Sequence, residues 1–281
     1  MLKIRQEDLR RLSIFLRSIG KAAAAILIFG LAALGETLPA NAETNRDTRS
    51  VIKAPEPVAA PSLPGRFITL PPGSRLPSAA DCAAAVRRSA WEPRPQNAAA
   101  NQTKGRSGAK IDGADASFNA RYSSRVDGDF VGTTDEIIQW GACKWGFDED
   151  LTRARAKQES NWQQSQLGDK TDSRAACATI GQAAPCWQSY GLLQVKGTVH
   201  EETYPLAKDS TAYNVDYSLA WLRACYEGAF GHWLENGYGA GDEWGCVGAW
   251  FSGNWYDSGA RHYIEGVKQH LARREWKRTD F

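Results

Sequence analysis

The sequence predicts a mainly α-helical domain cross-linked by disulfides. Three observations predict it. Apolar residues recur at helical spacing through residues 133–272, strand signals there are few and short, and six Cys all lie beyond position 80. The 281-residue chain is 42% hydrophobic, with 34 basic and 32 acidic residues. With a mean hydropathy of −0.47, this suits a soluble globular protein and argues against a multi-span membrane protein. A net charge of +2 gives no strongly basic face for nucleic acid, so none is expected as a partner.

Residues 1–42 read as a signal peptide. Lys3, Arg5, Arg10, Arg11, Arg17 and Lys21 precede an uncharged apolar run, Ala22 to Leu34, and then Ala40-Asn41-Ala42. A basic n-region, an apolar h-region and an A-x-A site are the parts of a cleavable export signal. An uncleaved anchor is the competing reading, but the run is short of the roughly 20 residues a bilayer needs. The residues after Arg10-Arg11 fit a twin-arginine motif poorly, and no Cys near the cleavage point offers a lipid anchor. Cleavage removes six basic and three acidic residues and leaves 28 and 29, a net charge near −1. The expected location is across the cytoplasmic membrane, in the periplasm or extracellular wall, without stable membrane insertion.

Residues 43–77 read as a Pro-rich linker, since nine of the 12 Pro lie between Pro55 and Pro95. Residues 78–132 read as a mostly irregular upstream segment with one short helix, capped by Ser78 and running through Cys82 to Arg88. Residues 133–281 form the main domain. Thr133 and Glu136 make a capping box before Ile137, Ile138 and Trp140, and Gly146 ends that helix. Asp148 caps a second helix through Leu151, Ala154 and Glu159. Further helices are expected at about 212–226, 242–251 and 258–271. The basic tail Arg273–Arg278 reads as a solvated helix end.

Cys82, Cys143, Cys177, Cys186, Cys225 and Cys246 suit three disulfides in an oxidising compartment. Six Cys allow 15 connectivities. The expected pairs are Cys177–Cys186, closing a short loop, Cys225–Cys246, joining two helices, and Cys82–Cys143, tying the upstream segment to the domain. A zinc site is the alternative, but there is no C-x2-C pair. His200, His232, His262 and His270 match no metal spacing, so neither metal nor cofactor is expected.

Ten of the 11 Trp lie between Trp140 and Trp276. Some must be core; aromatic faces also suit sugar rings, so a saccharide groove is expected beside a Trp-rich core. Three segments locate the chemistry: Ala156-Lys157-Gln158-Glu159-Ser160-Asn161-Trp162, then Ser189-Tyr190-Gly191-Leu192-Leu193-Gln194-Val195, then Ala249-Trp250-Phe251-Ser252-Gly253-Asn254 with Tyr263 beyond. In this order they resemble the soluble lytic transglycosylase family and its goose-type lysozyme relatives, over about residues 134–271. The resemblance implies a lysozyme-like helical fold acting on peptidoglycan glycan strands. It implies that Glu159 is the catalytic acid, then the base on the muramic acid 6-hydroxyl, giving 1,6-anhydro ends. Ser160, Trp162, Ser189, Tyr190, Gly191, Gln194, Trp250 and Tyr263 are the corresponding substrate-binding candidates, with Trp162, Leu192 and Tyr190 expected to form the pocket around Glu159.

Two departures stand out. The stretch from Glu159 to Ser189 is long and contains Cys177 and Cys186, and Trp250-Phe251 stand where Tyr-Asn is usual. Phe251 cannot hydrogen-bond a substrate through its side chain. An inverting hydrolase is the alternative, with Asp169 or Asp172 positioning water; both also read as solvated loop residues. A second alternative is a saccharide-binding module without turnover. The expected role is wall remodelling, or opening the wall for an envelope-spanning assembly.

Overall fold

The computed structural model describes residues 65–235 and 237–281. The signal peptide read at 1–42 and the linker up to residue 64 lie outside them. Among the described residues ten α-helices follow in order: α1 Ala79–Ala85, α2 Ala98–Gln102, α3 Ala116–Tyr122, α4 Thr134–Trp145, α5 Glu149–Ser160, α6 Arg174–Thr179, α7 Leu206–Asp209, α8 Thr211–Tyr226, α9 Glu243–Ser252 and α10 Ser258–Arg273. One antiparallel sheet, in the order β1-β2-β3, is built from Leu167–Gly168, Ser189–Tyr190 and Val195–Lys196. The domain is therefore mainly helical, as its periodicity predicts. Among the described residues no helix is long and apolar enough to cross a membrane.

The caps form as read. Thr133 and Glu136 complete a capping box, and Gly146 takes a left-handed φ of 64°. Asp148 accepts from the backbones of Asp150 and Leu151 at the start of α5. Asp242 and Asp257, not read as caps from the sequence, cap α9 and α10 in the same way. Every residue of α8 is buried, so it is the central helix and needs no polar face. Around it α4 packs on one side, while α9 packs on α10 and α10 on α5. Those last three helices set the site.

All three disulfides pair as expected: Cys82–Cys143, Cys177–Cys186 and Cys225–Cys246.

Several expectations are corrected. Residues 66–77 are an arm docked on the domain, not a free tether. Phe67 N–H donates to Glu149 at 3.2 Å, Leu70 N–H to the Gly146 carbonyl at 3.0 Å, and the buried Arg223 guanidinium to the carbonyls of Leu70 and Pro71 at 2.9 Å. Pro limits helix and sheet but does not prevent such one-sided docking. Residues 92–130 contain α2 and α3, and Ile111, Phe118, Val126 and Phe130 enter the same core as the later helices. Asp115 caps α3 through Phe118 N–H. Buried Asn97 and Asn101 both donate to Thr134 Oγ1. These are side-chain anchors that periodicity does not register. The first helix stops at Ala85, three residues before Arg88, because Val86 is extended. The basic tail is docked as well: Trp276 is buried and Arg274 pairs with Asp150 at 3.0 Å.

Candidate active site

Helix α5 must end for Glu159 to reach the surface, and it ends abruptly. Asn161 at φ 52° and Trp162 at φ 65° are both left-handed. Asn tolerates that conformation, whereas a bulky Trp is strained in it. Several bonds hold Trp162 there. Asn97 Nδ2 donates to its carbonyl at 2.8 Å, and its indole Nε1 donates to the Arg153 carbonyl at 3.0 Å. Its ring meets Trp91 and Phe281 edge-on, at 5.8 Å and 5.1 Å. Trp162 is fully buried and touches no groove, which corrects the expectation that it binds saccharide. It serves as the anchor that stops α5.

Ser160 completes the junction. Its hydroxyl donates to the Leu192 carbonyl at 2.8 Å, tying the end of α5 to the turn 191–194. Gly191 sits there at φ 81°, and a Cβ would come within 2.4 Å of Asn214 Nδ2 and 2.6 Å of Gln164 Nε2. Only glycine fits both the angle and the space. Gln164 and Asn214 accept from the N–H groups of Leu192 and Leu193 at 2.9 Å and 2.8 Å, while Gln194 Nε2 donates to the Gly191 carbonyl at 2.9 Å. Ser160, Gly191 and Gln194 thus hold the backbone around Glu159. Tyr190 is also structural: its ring belongs to a second core with Cys177, Ile180 and Cys186, not to the Glu159 pocket.

The structure does bring Glu159, Trp250 and Tyr263 together, from α5, α9 and α10. Tyr263 Oη donates to Glu159 Oε1 at 2.6 Å, and the Trp250 indole faces the same carboxyl. Glu159 itself is half-buried. Burial raises its pKa to about 7, against the opposing pull of Tyr263, Arg155 and Trp250; the Asp169 charge pushes the same way as burial. Oε1 accepts from Tyr263, which leaves Oε2 as the oxygen free to take up a proton.

Two neighbours, Arg155 and His200, were not legible in the sequence as parts of this site, and neither was the packing of Phe251. Arg155 lies one turn before Glu159 and is fully buried. Its Nη2 donates to Ser218 at 3.0 Å, its guanidinium lies 5.6 Å from the Trp250 ring centroid, and its Nε and Nη1 have no hydrogen-bond partner among the described residues. His200 stacks on Trp250, centroids 5.7 Å apart. Phe251 stacks on Tyr263 at 4.9 Å, nearly parallel, and is 56% exposed. The Trp250-Phe251 pair therefore braces the phenol and presents an apolar face beside the carboxyl.

Asp169 and Asp172 part company. Asp172 is an exposed loop residue. Asp169 adopts φ 55°, accepts from Ser189 Oγ at 2.8 Å and pairs with Lys196 at 3.2 Å. Burial pushes its carboxyl up, but Ser189 and Lys196 outweigh that and leave it below its ordinary value.

Another concavity, lined by Arg66, Arg87, Arg153, Asp135, Glu149 and Asp150, lies elsewhere. Its charges pair with one another: Arg153 with Asp135, Glu149 and Asp150 at 2.7–2.9 Å, and Arg87 with Glu149. It clamps the arm to α5. Among the described residues no cluster of three or more His, Cys, Asp or Glu is placed to hold a metal ion.

Comparison of the chain with known protein families, with curated proteins and with solved structures finds no match.

Arg155 gives a direct test of these electrostatics. Its cation favours the Glu159 carboxylate, so Arg155→Met should raise the Glu159 pKa above 7 by about one pH unit. A carbon-detected NMR titration of the glutamate carboxyls checks it. An unmoved midpoint would mean that Tyr263 and burial alone set the value.

Proposed function

We propose that this protein is an exported lytic transglycosylase with a lysozyme-like fold, cleaving the N-acetylmuramic acid β-1,4 N-acetylglucosamine bond of peptidoglycan. One observation carries the proposal: a half-buried Glu159, its pKa raised to about 7 and its carboxyl hydrogen-bonded by Tyr263, at the junction of the three segments that carry the resemblance. Glycoside cleavage needs an acid at the leaving oxygen as oxocarbenium character develops at C1. Protonated Glu159 supplies that proton. The C1–O bond breaks and its electron pair goes to the departing 4-oxygen. The resulting carboxylate then takes the proton of the 6-hydroxyl as that oxygen closes onto C1. The substrate provides the nucleophile, so no second carboxylate is required. Three disulfides support a location outside the reducing cytoplasm, in keeping with the signal read at 1–42.

Asp169 favours a second reading. Its ionised carboxylate, held by Ser189 and Lys196, acts on Glu159 electrostatically and could position a water for an inverting hydrolase. Digestion of purified peptidoglycan, with the new ends identified by mass spectrometry, separates the two. Anhydro ends are expected. Reducing ends would convert the assignment to a hydrolase, with Asp169→Asn then abolishing cleavage. No release, with glycan binding retained, would leave a binding module.

A further inference from the structure

The insertion between Glu159 and Ser189 builds a surface that the cleavage chemistry does not use. Gly168 pairs with Ser189, Ser189 with Lys196, and Thr171 with Cys186. Continuing that antiparallel register sets Lys170 opposite Trp187. Directly opposed residues share a face, and alternate residues along a strand share one too. Lys170, Trp187, Ser189 and Lys196 therefore lie on one face. Cys186 and Tyr190 lie on the other, buried in the second core.

The strand that carries Ser189 runs into the turn 191–194, which Ser160 holds against the end of α5 at 2.8 Å, so the Ser189 end of this face adjoins the candidate active site. Asp169 breaks the alternation through its left-handed φ and joins Ser189 and Lys196, and its charge is felt at Glu159. The two residues next along this face are the exposed ones. Trp187 is 39% exposed. Lys170 is exposed, with Nζ 5.8 Å from the Trp187 ring centroid. Lys196 is occupied by Asp169, whereas Lys170 has no carboxylate within ion-pair distance among the described residues.

The mount is rigid. Tyr190 Oη donates to the Trp187 carbonyl at 2.5 Å, and Gln188 Nε2 to the Asp169 carbonyl at 2.9 Å. Thr171 and Cys186 exchange both backbone bonds at 2.9 Å and 3.0 Å, and Cys186 is bonded to Cys177. A large apolar ring held outward by its backbone loses little freedom when a ligand covers it.

We propose that the Lys170–Trp187 face is an additional subsite of the glycan cleft. It takes the apolar face of a hexosamine ring on the indole and a carboxylate borne by that sugar or its peptide on Lys170. The choice of ligand rests on the reading of Glu159 given above. An uncharged amino-sugar ring needs only the indole, and a free cation beside it adds recognition of an acid-bearing sugar.

The test uses calorimetry on the full protein carrying Glu159→Gln, which stops turnover during titration. The probes are chitotetraose, which bears no carboxylate, and a peptidoglycan tetrasaccharide with its peptides. Adding Trp187→Ala should weaken both by about tenfold. Adding Lys170→Ala should weaken only the acid-bearing probe, by about threefold, and that loss should shrink in high salt. Both side chains are exposed, so unchanged melting curves are the folding control. Unchanged affinity for both probes in Trp187→Ala, or no binding by the parent, would overturn the subsite. Failure of the catalytic reading looks different: wild-type protein would release no product while the Trp187 effect on binding persisted.

Discussion

Glu159→Gln should abolish peptidoglycan cleavage, with a loss of about 10²- to 10⁴-fold, the contribution of a positioned general acid. The fold should survive, because Gln keeps an acceptor at the Oε1 position for the Tyr263 hydroxyl. The pH dependence follows from the raised pKa. The acid is present below about 7 and is lost as pH rises through that value, so turnover should fall on the alkaline side. With rising pH the wild type should lose stability together with activity, whereas the substitution removes activity and relieves that loss of stability. A carboxyl whose folded pKa is raised contributes stability fully present below its unfolded value and lost as pH rises through the folded one. At pH 8 the wild type must hold a carboxylate where its surroundings favour the acid, so Glu159→Gln should melt at or above the wild-type temperature there. Below pH 4 the advantage should vanish. Turnover assays and thermal melts at the two pH values check both halves. Full activity in the variant would sink the assignment of Glu159.

Asp216→Ala should be the most damaging substitution away from the site, at about 3–5 kcal/mol, the cost of breaking a buried ion pair and its hydrogen bonds. Lys144 and Asp216 are both fully buried, 2.8 Å apart, in α4 and α8. Asp216 also accepts from Trp145 Nε1 at 2.6 Å and from the backbones of Asp127 and Gly128 at 2.9 Å and 2.8 Å. Removing the carboxylate strands three neutral donors and leaves the buried Lys144 ammonium with only the partly exposed Asp127, at 2.8 Å. Lys144→Met should cost less. Asp216 would keep its three neutral donors, and the Met chain would still pack on Trp140, where the ammonium now lies 4.5 Å from the ring centroid. Denaturant unfolding, read as a shifted midpoint at constant slope, checks the ranking. Equal losses for the two would contradict the donor count.

The legible part of the fold was the part governed by local rules. The Thr133–Glu136 capping box, the αL Gly146 and the Asp148 cap each depend on residues within one turn of one another. Positions 92–130 fail that test. Their short helices are held by Asn97, Asn101 and Asp115, whose partners lie on other elements or in a single turn without apolar periodicity. The docked arm at 66–77 escaped for a similar reason, since its anchors Gly146, Glu149 and Arg223 are distant in sequence.

The candidate site divides the same way. Glu159, Trp250 and Tyr263 could be named from the order of the three segments. Whether each ring meets solvent or core could not, because a Trp looks the same in either role. Trp162 went to the core as a helix stop, Tyr190 to the second cluster, and Trp187, unremarked in the sequence, to the exposed face. Arg155 was invisible because nothing at helical spacing distinguishes a cation aimed inward from one aimed outward.

The sequence by itself determined the helical class and the caps at Thr133, Gly146 and Asp148 and put Glu159 forward as the acid, since these rest on spacing and on the chemistry of single residues. Its disulfide pairing was one choice among 15, which the structure confirms. Tertiary structure alone decided the raised pKa of Glu159, the burial of Arg155 and the face shared by Lys170 and Trp187. Desolvation, electrostatic fields and strand register depend on what the rest of the chain places within a few ångströms, and that is a property of distance in space.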